Sequence, residues 1–305
     1  MSYAQLLFPD FSLVLCGYLL CRFTPLGRGV WQPLENLVYY FLFPVLLFHS
    51  IVKKPLDVGA ASGLMLAGVL LGVASILLAL SIPRLPGIGR HIDRREHAGA
   101  AQVAFRFNSF MGLALAERLM GAQGLQLIAV LIGVCVPLFN VGAVWPMARH
   151  GGNSFGRELL RNPLIIGTGA GLACALLGLS IPAWLEPTVT RIGASSLPLG
   201  LMAAGAGMQL SALKSGKLLA ALLLLIKHLL MPLMAFGLAR VMGLGRAETL
   251  ILLAFSALPT ASTTYVLAAR MGYNGGYVAA LVTLSTLLGM VSLPFALGVL
   301  GGMPG

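Results

Sequence analysis

Ten apolar runs of about 20 residues follow one another through this chain, near residues 6–24, 33–52, 60–82, 99–119, 125–147, 162–181, 188–210, 217–238, 248–269 and 276–300. A helix rises 1.5 Å per residue, so about 20 residues match the roughly 30 Å hydrocarbon layer of a bilayer. With 58% hydrophobic residues, 10% charged residues and a mean hydropathy of +0.92, the chain has far less polar surface than a water-facing fold needs. The expected fold class is therefore an all-α integral membrane protein of ten transmembrane helices. The net charge of +11 does not indicate nucleic acid, because the basic residues sit in short loops between apolar runs. No nucleic-acid partner is expected; the lipid bilayer is. The four cysteines lie inside apolar runs without metal spacing, and the five histidines are scattered. No metal and no cofactor are expected.

Loop charge predicts orientation. Twelve basic residues fall in the odd-numbered loops and six in the even-numbered ones. The richer side faces the cytoplasm. Ten spans then place both termini on the non-cytoplasmic side of the cytoplasmic membrane.

Two runs are interrupted at matching places. The first contains Arg106, Asn108, Gly112 and Ala114 and ends Leu-Ala-Glu117-Arg118-Leu-Met-Gly121. The second contains Pro259, Thr260, Ser262, Thr263 and Thr264 and ends Leu-Ala-Ala-Arg270-Met-Gly272. Other pairs repeat the spacing: Pro9 with Pro163, Gly17 with Gly171 and Pro44 with Pro198 are each 154 residues apart. Two copies of five spans follow, at 1–148 and 162–305, joined by a cytoplasmic linker at 149–161. Five is odd, so the second copy is inverted. Inverted repeats place substrate near the midplane, at discontinuous helices, and give two related states for alternating access.

Several phrases together resemble the auxin efflux carrier family, the PIN-like branch of the bile/arsenite/riboflavin transporter superfamily, in its compact bacterial form. They are Phe43-Pro44-Val-Leu-Leu-Phe, Asn108 followed by Gly112, Pro137-Leu-Phe-Asn140-Val-Gly, Arg161-Asn162-Pro163, Leu197-Pro198-Leu-Gly-Leu, Lys227-His228-Leu-Leu-Met-Pro232 and Leu258-Pro259-Thr-Ala-Ser262-Thr-Thr-Tyr265. The resemblance implies a scaffold of spans 1, 2, 6 and 7 and a transport part of spans 3–5 and 8–10. Spans 4 and 9 would cross at their breaks, with Asn108 and Pro259 at the crossing and a homodimer as a possible assembly. Where relatives carry Gly-x-Pro, this chain carries Gly112-Leu113-Ala114, so Gly112, Ala114 and Pro259 are the expected crossover hinges.

The chemistry expected there follows from the residue types. Proline removes a backbone donor and opens span 9. The half-helix after the break then presents free N–H groups and a positive dipole end, which suit an anion. Asn108 adds an amide group, and Thr260, Ser262, Thr263 and Thr264 add hydroxyls. Arg106 and Lys227 are cations within spans, and intramembrane charges are functional candidates by default. On a continuous helix Arg106 and Asn108 point about 200° apart, so both serve one ligand only if the helix breaks.

All nine acidic residues lie at span ends or in loops. A cation substrate, or coupling to protons or sodium, ordinarily uses a buried carboxylate. The expected activity is secondary transport of a small organic anion, efflux or facilitated. Outward movement of an anion gains about 2.3 kcal/mol per charge per 100 mV of potential. A permease or channel for a neutral metabolite is the alternative. An enzyme is not expected: Gly152-Asn-Ser154-Phe-Gly156 matches a nucleophile pattern, but it follows no strand and has no His–acid pair to serve it.

Overall fold

The computed structural model describes residues 3–53, 62–148, 163–208, 216–261, 263–300 and 302. Ser262 and the linker 149–161 lie outside the described residues. Among those described, every regular element is helical. The helices are α1 (Tyr3–Phe23), α2 (Arg28–Leu37), α3 (Phe43–Lys53), α4 (Ser62–Ser81), α5 (Arg94–Ala100), α6 (Ser109–Ala148), α7 (Pro163–Leu176), α8 (Glu186–Ala206), α9 (Lys217–Leu225), α10 (Met231–Val241), α11 (Arg246–Ala257), α12 (Thr263–Arg270) and α13 (Gly275–Pro294). Ser62–Arg84, Arg94–Met147, Lys217–Val241 and Gly275–Leu300 are apolar and long enough to cross a bilayer. An all-helical membrane protein is the architecture.

Proline writes part of the local structure. A π-turn at Val38–Leu42 joins α2 to α3, and another at Ile226–Leu230 joins α9 to α10. Pro44 and Pro232 each follow two residues behind. A proline ring has no N–H and clashes with the carbonyl four residues back, and a widened turn relieves both problems. The turn at Ile226–Leu230 buries two successive polar residues, Lys227 and His228.

The chain divides into two compact units. The first gathers residues 1–62, 109–133 and 156–207. In it α1 packs along α8, and α3 along α7 and α8. These contacts are backbone-close. A Cβ at Gly17 would collide with the Met202 carbonyl, and one at Gly205 with the Val14 carbonyl. Small residues permit such approach, and in lipid the resulting van der Waals contact drives helix association. Phe43 and Phe110 stack at 4.4 Å over Gly200. Within α6, Gly121 adopts φ 56° and ψ −137°, where an L side chain is strained. Three residues later, a Cβ at Gly124 would strike the Ala116 carbonyl. Eight residues of straight helix span about 12 Å, so α6 doubles back at Gly121. The turn falls at the end of the first interrupted run.

The second unit gathers residues 63–108, 134–155 and 208–305. Gly72 of α4 faces Leu138 and Phe139 of α6, and Gly142 of α6 faces Ile76. Phe105, Phe107, Phe139 and Phe255 form an aromatic cluster, with the Phe107 and Phe255 rings 4.5 Å apart. The cluster packs around the chain where α5 gives way to α6. There the helix tightens into a 3₁₀ turn at Ala101–Ala104 and then loses helical form through Phe105 to Asn108. The break thus precedes Gly112 and Ala114, the positions expected to hold it. Both of those lie buried inside helical α6.

Candidate functional site

The second unit brings the two interruptions together. Between α11 and α12 the chain is non-helical from Leu258, which has φ −57° and ψ 140°. The Asn108 backbone N–H donates to the Pro259 carbonyl at 2.7 Å. The Thr260 hydroxyl donates to the Val103 carbonyl at 2.7 Å. One broken segment thus supplies the partners that the other lacks, which meets the demand for satisfied backbone groups away from water. Asn108 is 4% exposed and Thr260 fully buried. Pro259 lies on Gly289, where an added Cβ would come within 2.5 Å of its Cγ.

Helix α13 supports the junction from the side. Ser285 Oγ accepts from the Thr260 N–H at 2.9 Å and donates to Thr260 Oγ1 at 3.2 Å. His228 joins its ring nitrogens to two serines two turns apart on one face of α13: Nε2 to Ser285 at 2.8 Å and Nδ1 to Ser292 at 2.8 Å. Ser292 Oγ also donates to the Ala257 carbonyl at 3.3 Å. Donor counting gives the direction of this chain. Thr260 has given its hydroxyl proton to Val103, and Ser285 has given its own to Thr260. His228 Nε2 therefore donates to Ser285. On the neutral ring Nδ1 accepts from Ser292, whose single hydroxyl proton is divided between Nδ1 and the Ala257 carbonyl.

The remaining expected residues are distributed as follows. Arg106 is half-buried and directs its guanidinium to Gln102 Oε1 at 3.1 Å and Asn140 Oδ1 at 3.4 Å. Lys227 is fully buried, with Met231 Sδ at 3.9 Å. Thr263 opens α12. Behind it, Thr264 is fully buried, and among the described residues its Oγ1 has no hydrogen-bond partner. In the first unit, Ala114 lines a cavity of about 290 Å³ with Leu13, Glu117, Arg118, Ala194, Pro198 and Leu201. Among the described residues no cluster of His, Cys, Asp or Glu has the makings of a metal site.

Sequence reasoning missed Ser285 and Ser292, and read His228 only as one of five scattered histidines. Ser285, Gly289 and Ser292 carry a signal: spacings of four and three residues put all three on one helix face. That face touches Pro259, Thr260 and His228.

A helical membrane transporter is the class that this fold and paired-break geometry define. Residues 145–297 match the family described as membrane transport protein. The chain belongs to that family, of the auxin efflux carrier type, and is a transporter and not an enzyme. It is 24% identical over 306 residues to a Rhizobium meliloti protein provisionally named a malonate transporter, covering 94% of this chain and 92% of that one. It is also 24% identical over 290 residues to an uncharacterized transporter of Methanothermobacter thermautotrophicus, covering 92% and 93%. An uncharacterized transporter of Methanocaldococcus jannaschii is 25% identical over 272 residues, covering 84% and 85%.

Proposed function

We propose that this protein moves a small organic anion, a carboxylate of the malonate or auxin class, across the cytoplasmic membrane by alternating access, as an efflux or facilitated transporter. Two inverted five-helix repeats, 1–148 and 162–305, would form it, with both termini outside the cytoplasm. Spans 1, 2, 6 and 7 would be the scaffold and spans 3–5 and 8–10 the moving part, with a homodimer as a possible assembly. The observation that carries the reading is the bond from Asn108 N–H to the Pro259 carbonyl. It ties two helix breaks together and leaves the N-terminus of α12 close in sequence behind the junction. A helix N-terminus offers unpaired N–H donors and a favourable dipole to a carboxylate. Asn108, Pro259, Thr260, Ser262, Thr263 and Lys227 are the proposed site residues, with Arg106 at its margin. The name carried by the Rhizobium meliloti relative points the same way.

One observation favours the alternative of a neutral metabolite. Arg106 is occupied by Gln102 and Asn140, so it need not meet a substrate charge.

The test is uptake of labelled mono- and dicarboxylates, malonate first, into proteoliposomes holding wild-type protein or Asn108→Ala. The substitution keeps the backbone bond to Pro259 and removes only the amide. A buried site deprived of a hydrogen bond to a charged group loses about 1.5–3 kcal/mol, so affinity should fall by roughly ten-fold or more. Equal affinity in both proteins for every transported carboxylate would overturn the site. Transport of neutral analogues alone would establish the alternative.

A further inference from the structure

Lys227 stands 10 residues into the helix Lys217–Val241, about 15 Å along its axis. It is fully buried, on the π-turn that Pro232 imposes. Among the described residues its hydrogen-bonding contact is a thioether, Met231 Sδ at 3.9 Å. The elements packed on this turn are α9, α10, α11, α13 and the 3₁₀ turn at Ala101–Ala104. Their charged and titratable members are Lys217, Arg240, Arg246, Glu248 and Tyr277. Glu248 is in the first turn of α11, bonded to the Gly245 N–H, and Tyr277 is in the first turn of α13, bonded to the Gly216 carbonyl. Lys217 and Arg246 open their helices and Arg240 lies in the last turn of α10. The titratable neighbour is His228, whose ring runs through Ser285 to Thr260 in the break of span 9. No carboxylate offsets a charge on Lys227 in the described structure.

An isolated ammonium ion is costly in so apolar a place, and so is an isolated substrate carboxylate. Ammonium and carboxylate together cost far less, and so does an empty site with a neutral amine. We infer that Lys227 is a proton carrier: the amine takes up one proton as the anion enters the junction and releases it as the anion leaves. The reaction is R–NH₂ + H⁺ + A⁻ giving R–NH₃⁺·A⁻, so each anion crosses with one proton. The inference rests on the anion reading above and adds its coupling ion. It also revises the expectation of uncoupled, potential-driven movement. A proton-coupling group need not be an acid when the substrate is itself the counter-charge.

The experiment uses the whole protein in proteoliposomes with pyranine trapped inside and malonate as probe. An inward malonate gradient should acidify the lumen in step with malonate uptake, beyond the signal of protein-free vesicles. Lys227→Met removes the carrier beside an existing methionine, and the protein-dependent acidification should vanish. Lys227→Arg cannot release its proton, so exchange of internal for external malonate should persist while net uptake falls at least ten-fold. Persistent exchange also shows that this variant is folded. Wild-type malonate uptake without protein-dependent proton entry would overturn the inference and leave anion transport standing. Undiminished proton entry in Lys227→Met, or net uptake by Lys227→Arg equal to wild type, would overturn it too. No flux of any carboxylate in the wild type would overturn both readings.

Discussion

At the residue scale the junction depends on a few groups with no spare capacity. Ser285 serves the Thr260 N–H, Thr260 Oγ1 and His228 Nε2 at once. Ser285→Ala leaves two of those groups buried without partners, and each such loss costs about 1–3 kcal/mol. The expected outcome is a large drop in thermal stability in detergent, whereas Ser285→Thr, which keeps the hydroxyl, loses less. Gly289 makes a sharper contrast. Its α-hydrogen side is filled by Pro259, with Cγ at 2.5 Å from where a Cβ would stand. Overpacking of this kind costs about 1–3 kcal/mol, so Gly289→Ala should lower the melting temperature and weaken carboxylate transport. Gly237 lies mid-helix in α10 with nothing within 4 Å of an added Cβ. Gly237→Ala should stabilise by about 0.5–1 kcal/mol through helix propensity alone. The same melting assay on both variants separates a close approach from a generic glycine effect.

At the element scale the informative features are the places where helices stop being regular. Pro232 acts at a distance: its missing N–H and its ring reshape Ile226–Leu230, and that turn buries Lys227 beside His228. With Pro232→Ala the π-turn can relax to α-helix, rotating His228 away from Ser285 and Ser292. Malonate uptake should fall by about ten-fold or more, as expected for the loss of the two hydrogen bonds that His228 makes, while helix content by circular dichroism stays unchanged. Uptake equal to wild type would show that the turn does not position the junction. Elsewhere the contact of α1 with α8 works through exchanged glycines, Gly17 on Met202 and Gly205 on Val14. Gly17 stood out in the sequence by its spacing of 154 residues from Gly171. Its use, a backbone-to-backbone contact, did not, because sequence does not say which face of α1 meets which helix.

At the scale of the whole molecule, the excess of basic residues in the odd-numbered loops makes a topological prediction. A C-terminal alkaline phosphatase fusion should be active and a C-terminal green fluorescent protein fusion dark, since both termini are expected outside the cytoplasm. The reverse pair of signals would invert the proposed orientation. The sequence by itself determined the class: long apolar runs in so uncharged a chain allow only membrane-crossing helices, because backbone groups in lipid must bond within their own segment. It also marked both interruptions, since Pro259 and the polar residues around Asn108 are costly in an apolar run. Tertiary structure decided where span 4 opens. A polar residue or a glycine permits a break at several positions, and packing selects one. Here Phe105 and Phe107 anchor in the aromatic cluster while Asn108 and Val103 bond to span 9, so the chain opens ahead of Gly112 and Ala114. It likewise decided that Lys227 is buried with no carboxylate beside it among the described residues, and that His228 reaches the junction through serines. Such pairings join residues 25 to 157 positions apart, and local residue type carries no record of distance in space.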